Sequence, residues 1–534
     1  MSSIQPSHSD FADRLMAAMR LHAAGKFAEA LAEYEALLTE KGQSPEADYR
    51  LRTLLFKLYR HTGDIDHAVA MLEPLAEKNP GDAPLVKDFL EICMEHKRPQ
   101  PVLRFARQML RSYPNDVHLH ELMATSYEQL GQYADMLPHM APLLKADANR
   151  DEGFFIRYVR QLHRAGELAL AERIVEKGLA RHPQSQGLLE LNALSQGLAR
   201  QFTQAADTYR LIAAHYPDNR QAIALAGAMA LLTTDFKEGF EEYAARPHIS
   251  EMEKRFIDYC PKWQGEALRG KKLLLWCEQG IGDVLMFSGF TPWLQQQGAD
   301  VTMVVAGKLM PLLARSFLEA KVIVDAHVSK EGVFDYHLPM GELIRYVLPH
   351  YIPAEHPPYL KPDAVRTAEL RRRYAALAEA HGKKRLIGIS WHTANPEVGF
   401  VRNVALEQWA PLFLLPDVQF ISLQYDDHAA EIDAVNRRFP QALFCDPDID
   451  AFKDVDALAA QIAALDHVIT IDNFIAHLSG ALGAPTTVLM PAMPDWRWGI
   501  EGATCRWYKS VTLERQEKSL EWKAVMQCVA AGLR

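Results

Sequence analysis

The feature that most restricts this chain is a period of 34 residues running through its first half. Prolines stand at 80, 114, 183 and 217, each near the end of an apolar helical segment, with gaps of 34, 69 (two periods) and 34. Their contexts read alike: Lys78-Asn79-Pro80-Gly81-Asp82, Ser112-Tyr113-Pro114-Asn115-Asp116, Arg181-His182-Pro183-Gln184 and His215-Tyr216-Pro217-Asp218-Asn219. A second marker runs in step. Short turns occur at Ala24-Gly25-Lys26, Thr62-Gly63-Asp64, Leu130-Gly131-Gln132 and Ala165-Gly166-Glu167, with Gly-less versions at Arg200-Gln201 and Thr234-Asp235. Each period therefore predicts a helix, a tight turn, a second helix and a proline where the second helix stops. Ala28, Ala68, Ala134, Ala171 and Ala205 follow the turns, where the paired helices are expected to approach closely.

Over roughly residues 12–247 this pattern resembles tetratricopeptide repeats, in about six or seven units. The resemblance implies an α-solenoid whose concave face takes a polypeptide or a partner domain; a rigid spacer is the alternative. With 534 residues, 49% hydrophobic and 24% charged, the chain is long enough for several units that each bury a core. A net charge of -10 argues against broad nucleic-acid binding but leaves room for a local basic pocket that takes a phosphate. The six cysteines include no C-x-x-C pair, which suits a reducing compartment and argues against a structural zinc. The N-terminus lacks a secretory pattern, and no apolar run approaches the roughly 18 residues of a membrane span. A cytoplasmic location is expected, with peripheral membrane association compatible with it.

From Lys271 the periodicity changes. Short apolar runs at Leu273–Cys277, Val301–Val305, Val322–Val324 and Tyr336–Leu338 read as strands, with a helix-like Leu309–Phe317. Tyr359–Ala380, rich in Arg and Ala, connects to a second series. There Leu386–Trp391, Val418–Gln424, Leu443–Cys445, Val468–Ile471 and Thr487–Met490 read as strands. Leu406–Leu415, His428–Arg438, Asp456–Ala464 and Phe474–Leu482 read as helices. Continuous apolar strands alternating with helices indicate parallel sheets covered on both faces. Two such series predict two doubly wound, Rossmann-like lobes with a ligand cleft at the carboxyl ends of their strands.

Several elements occur in a telling order. Asp235-Phe236-Lys237-Glu238-Gly239-Phe240-Glu241-Glu242-Tyr243 closes the repeats, and Pro261-Lys262-Trp263-Gln264-Gly265 follows. Then come Glu278-Gln279-Gly280-Ile281-Gly282-Asp283, the late run Ile471-Asp472-Asn473-Phe474-Ile475-Ala476-His477-Leu478, and Asp495-Trp496-Arg497-Trp498. Together these resemble bacterial tetratricopeptide-repeat glycosyltransferases, whose catalytic part is similar to the heptosyltransferases of glycosyltransferase family 9. The resemblance covers nearly the whole chain. It implies a GT-B fold, a nucleotide-diphosphate sugar as donor, and inverting, metal-independent transfer with no resident cofactor. The acceptor implied is a protein or a surface-glycan precursor. The boundaries expected are repeats over 1–247, a linker over 248–270, an acceptor-side lobe over 271–380 and a nucleotide-sugar lobe over 381–534.

Gly280 and Gly282 let backbone approach a ligand at a strand-to-helix turn, and a helix N-terminus favours negative charge. A dinucleotide fingerprint requires a third glycine where Leu285 stands. The resemblance places Asp283 on the acceptor side as the base that takes a hydroxyl proton; a helix N-cap is the alternative. The loop from Trp391 and His392 to Arg402 supplies donors for the nucleotide sugar, with Arg402 as a diphosphate clamp or, alternatively, a surface arginine. Gln424 ends a strand and is expected at base or ribose. Asp472 and Asn473 open the helix that faces the diphosphate, Asp472 binding sugar or ribose hydroxyls or orienting a neighbour rather than meeting phosphate. His477, one turn into that helix, is either functional or a packed histidine. The tryptophans of Asp495-Trp496-Arg497-Trp498 wall the sugar site or seal the lobes. Asp446-Pro447-Asp448-Ile449-Asp450 reads as a solvated turn before a cation site. Family members often carry Thr where this chain has Asn473, a departure that bears on donor identity and on activity. It keeps open a different class of protein, a non-catalytic scaffold that docks partners.

Overall fold

The computed structural model describes residues 8–40, 44–146, 150–233, 236–247, 249, 253–254, 260–324 and 333–534. The turn expected at Thr234-Asp235 and much of the expected linker lie outside them. The chain forms two compact units, Met1–Ile174 and Val175–Arg534.

Fourteen helices, α1 (His8–Ala23) to α14 (Phe236–Tyr243), make up the repeats among the described residues. The proline period has a local cause that extends past the proline. Two residues after each one stands a capping side chain: Asp82, Asp116, Ser185 and Asn219 each accept a hydrogen bond from the backbone N–H three residues on. One helix stops for want of an N–H, and the next starts on a satisfied N-terminus. At the turns Gly25, Gly63, Gly131 and Gly166 adopt φ between 69° and 80°, and Arg200 takes the same left-handed conformation in a Gly-less turn with φ 62°. The buried position of each second helix lies five residues after the left-handed one, at Ala30, Ala68, Met136, Ala171 and Ala205. Ala28 and Ala134, expected at the helix contact, are exposed instead, because they sit two residues short of that face.

In the second unit the last repeat helices share one apolar core with the sheets. Phe202, Leu231 and Leu232 join Leu285, Trp496 and Trp507. Leu198 O accepts from Ser519 Oγ at 2.7 Å, and Ile500 O accepts from Arg200 at 3.0 Å. Helix α13 (Arg220–Leu232) meets α14 backbone to backbone: a Cβ on Gly227 would lie 2.4 Å from the nitrogen of Tyr243. The compact boundary therefore falls at 174/175, before the expected 247. A chain begun at residue 248 would expose Trp496 and Met493 to water, and we expect it to be recovered aggregated, whereas one begun at residue 175 stays monomeric. Size-exclusion chromatography of the two tests this.

Strands β1 (Lys272–Trp276), β2 (Asp300–Val304), β3 (Lys321–Ile323) and β4 (Tyr336–Pro339) form a parallel sheet in the order β3-β2-β1-β4. Strands β5 (Arg385–Ser390), β6 (Val418–Ser422), β7 (Leu443–Phe444), β8 (His467–Ile471), β9 (Thr486–Met490) and β10 (Val511–Arg515) form a second parallel sheet in the order β10-β9-β8-β5-β6-β7. Both reverse direction beside their first strand, between β1 and β4 and between β5 and β8. Such switch points leave crevices at the strands' carboxyl ends. Two Rossmann-like lobes of this kind make a GT-B fold. Residues 261–263 are no free linker: Trp263 N donates to His337 O at 3.0 Å, alongside β4, and the Trp263 side chain is buried.

Several elements differ from the sequence expectation, among them Pro396–Arg402, which is a helix within the expected loop. Ala364–Ala380 is one long helix capped by Asp363, but only Leu370, Tyr374 and Ala378 face inward among its charges. Strand β10 is a sheet edge with alternating burial, and Lys523–Gly532 is a terminal helix.

Candidate active site

The carboxyl end of β1 runs through Glu278-Gln279-Gly280 into α15 (Ile281–Ser288). Gly280 is the N-cap and brings no side-chain cap; Asp283 lies inside the first turn, so the N-cap role does not fall to it. Neither Gly280 nor Gly282 has positive φ. Gly282 is small for a reason other than ligand approach. A Cβ there would come 2.9 Å from the His477 ring and 3.4 Å from Phe474 Cα, where α15 rests on α16 (Phe474–Leu482). The two helices carry the facing ends of the two lobes, and the glycine sets how closely they meet.

Between them lies a crevice of about 270 Å³. Seven of the expected residues line it: Gly280, Gly282, Asp283, Arg402, Asp472, Asn473 and His477. Its polar floor is an alternating chain of charge. Arg497 pairs with Asp283 and, at 2.6 Å, with Asp495; Arg402 reaches Asp495 at 3.5 Å and Asp472 at 3.2 Å. Trp498 Nε1 donates to the other Asp472 oxygen at 2.7 Å. Three carboxylates thus face two guanidiniums. Burial pushes the Asp283 and Asp472 carboxyls above the ordinary carboxylate value, with Arg497 and Arg402 respectively opposing it. Asp495 is half-buried, and against that burial two arginines hold it below that value.

Arg402 is therefore not a surface arginine, and its charge is already engaged by two carboxylates. Asp495 and Arg497 received no site role from sequence, although the Asp-Trp-Arg-Trp motif was in view. Asp495 caps the one-turn helix Trp496–Trp498 through Arg497 N, which turns the Arg497 side chain inward. Behind it, Glu278 is buried against Arg246 at 3.0 Å and accepts from Gly341 N at 3.1 Å.

Two expected donor contacts belong to the wall instead. Trp391 is buried, its indole N–H donating to Glu431 at 2.9 Å. Gln424 spends its amide on the chain: its oxygen accepts from Trp391 N and His392 N, both at 3.0 Å, and its nitrogen donates to His392 O and Tyr425 O. It splices the ends of β5 and β6. His392 stands outside the crevice, its ring 4.8 Å from that of His428. In the Asp446–Asp450 turn, Arg373 and Tyr374 engage Asp446, and Asp450 accepts from two backbone N–H groups.

Asn473 is the N-cap of α16, its oxygen accepting from Ile475 N at 3.0 Å while its nitrogen donates to Ser390 Oγ at 2.9 Å. A threonine here keeps the cap and loses the tie to β5. Asn473→Ala is expected to cost about 1–2 kcal/mol, and Asn473→Thr less, in urea unfolding. His477 stacks on Trp498 at 4.9 Å and shares a hydrogen bond with Tyr508 Oη at 3.0 Å. Burial pushes its pKa down to about 3 from 6.5. Between those values the unfolded chain binds the proton and the folded one does not, so stability falls as pH drops through this window, by about 1.4 kcal/mol per unit. His477→Gln should flatten that slope in urea midpoints taken between about pH 4 and 7.

The fold is that of a repeat-bearing protein with a GT-B unit. Tetratricopeptide repeat sequences match residues 21–93. Protein FlbA of Caulobacter vibrioides is 30% identical over 318 residues, which take in 56% of this chain and 52% of that protein. The chain thus spans about half the length of the curated relative it matches. A glycosyl transferase family 9 structure from Veillonella parvula covers 47% of this chain and 88% of its own at 13% identity and TM-score 0.35. MamA from Desulfovibrio magneticus RS-1 covers 32% and 95% at 20% identity and TM-score 0.29. Among the described residues no helix is long and apolar enough to cross a membrane, and no group of three or more His, Cys, Asp or Glu residues is arranged to hold a metal.

Proposed function

We propose that this protein is a glycosyltransferase that moves a sugar from a nucleotide-diphosphate donor to a hydroxyl group, inverting the anomeric centre without a metal. The observation that carries the reading is the crevice itself, where Asp283 on one lobe faces Arg402, Asp472 and the α16 N-terminus on the other. In this reading Asp283 takes the acceptor's proton while the anomeric carbon develops positive charge. Its elevated proton affinity suits that work better than an ordinary surface aspartate. The diphosphate leaves toward the α16 N-terminus and Arg402, which exchanges a carboxylate for phosphate oxygens. Asp472, tied to Trp498, orients sugar hydroxyls. The crevice takes the diphosphate and sugar, and the nucleoside lies past the ends of β5 and β6, near His392. The repeats recruit a protein or glycan acceptor.

A second reading, a scaffold that docks partners without chemistry, is favoured by one observation: both crevice arginines are already paired with carboxylates. Incubating the full chain with a panel of nucleotide sugars, and following nucleoside diphosphate release and thermal stabilisation, separates the two. Transferase function predicts stabilisation by one nucleoside diphosphate and slow release from its sugar. No stabilisation and no release with any donor would leave the scaffold standing.

A further inference from the structure

We propose that Tyr243, the last residue of the final repeat helix, is a positioning residue for the acceptor-side carboxylate, acting through Arg497, so that the repeats help to set the reactivity of the catalytic centre. The inference rests on the transferase reading for its meaning but on separate contacts for its substance.

One nitrogen, Arg497 Nη2, serves three acceptors. It pairs with Asp283, donates to Gln279 Oε1 at 2.8 Å and donates to Tyr243 Oη at 3.2 Å. It has two hydrogens to share among them. Tyr243 Oη in turn donates to Gln279 Oε1 at 3.4 Å. The hydroxyl therefore does not merely fill space: it draws part of the guanidinium's hydrogen bonding away from Asp283.

The tyrosine is held for that purpose from every side. Its ring meets Trp496 edge-on at 5.3 Å, and the Arg246 guanidinium lies over its face at 4.0 Å. Arg246 also reaches Glu278 at 3.0 Å, immediately before Gln279. One residue before Tyr243, Glu242 receives a bidentate grip from Arg210 of the preceding repeat at 2.7 and 3.0 Å. Position in the repeats is thereby converted into position of one hydroxyl.

The charged and titratable groups around Asp283 are Arg497 on the one-turn helix and Asp495 at its cap, Arg402 and Asp472 farther along the crevice floor, Glu278 at the β1 end, Arg246 and Tyr243 from the repeat end, and His477 and Tyr508 from the second lobe. Among them Arg497 exerts the main pull toward the ionised form, against burial. A guanidinium freed from Tyr243 bonds Asp283 more fully, stabilises the carboxylate and makes it a weaker base.

The test compares the full-length chain with Tyr243→Phe, which keeps the ring on Trp496 and under Arg246. With aspartate side-chain carboxyls isotope-labelled, and the Asp283→Asn spectrum identifying the signal, NMR reads the Asp283 titration without any ligand. Tyr243→Phe should move it down by about half a pH unit. With an active donor, turnover should fall roughly two- to threefold and its acid limb move the same way, while donor KM holds. If Tyr243→Phe fails to fold, Gln279→Met, which removes a competing acceptor, should shift the titration in the same direction. An unshifted titration in a folded variant would overturn the inference. A wild type inactive on every donor would end the transferase reading instead, with the titration still deciding this one.

Discussion

Asparagine at position 283 should reduce sugar transfer by roughly 10²–10⁴-fold while leaving nucleoside diphosphate binding within about twofold, since loss of a general base removes help given only in the transition state. The substitution is nearly isosteric and keeps an oxygen for Arg497, so the crevice retains its shape. Asp283 lies on α15, across the crevice from Asp472 and Asn473, which places it away from the leaving diphosphate in the proposed arrangement. Transfer rates and calorimetric binding, measured on the same preparation, separate base loss from collapse of the site. Full activity in Asp283→Asn would remove this residue from the chemistry.

The largest structural effect belongs to Arg497, whose side chain is only 8% exposed. Arg497→Met should destabilise the second unit by about 3–5 kcal/mol at neutral pH, because Asp283 and Asp495 lose their shared counter-ion inside the protein. The pH dependence gives this origin a sign. Asp495 keeps Arg402 at 3.5 Å, but Asp283 is left without an ion-pair partner and its folded-state pKa stays above its unfolded one, so the stability of the variant is retained below the unfolded value and lost as pH rises through the folded one. The deficit relative to wild type should therefore shrink as pH falls toward about 4, and adding Asp283→Asn and Asp495→Asn should recover much of it at neutral pH. Urea midpoints across that range measure both. A deficit independent of pH would point to lost packing, since Arg497 also lies over the Trp496 ring at 4.7 Å.

What the amino-acid order disclosed depended on how local its cause was. The repeats were legible because proline, cap and left-handed turn act within a few residues of each other. The helix Phe474–Leu482 was read to the residue, since Asn473 caps it and Gly483, with φ 75°, ends it. The Ala364–Ala380 helix was not, because a three-residue apolar stripe among charges leaves little periodicity. At the site, motif residues such as Asp283 and Asp472 were visible as types. The ion pair between Asp283 and Arg497 was not, because only the docking of two lobes brings a β1-end residue to a turn after β9. Gln424 shows the opposite error. A polar amide at a strand end suits a ligand or a neighbouring loop equally well, and only the coordinates reveal that the loop has taken every bond.

The crossing of α13 and α14, with backbone seated against Gly227, leaves the downstream end of the helical array no freedom to slide or to gain a turn. Growth or loss of modules that spares the chemistry must then occur upstream of Val175. Swapping those leading modules between related chains is a route to altered cargo preference that leaves turnover untouched.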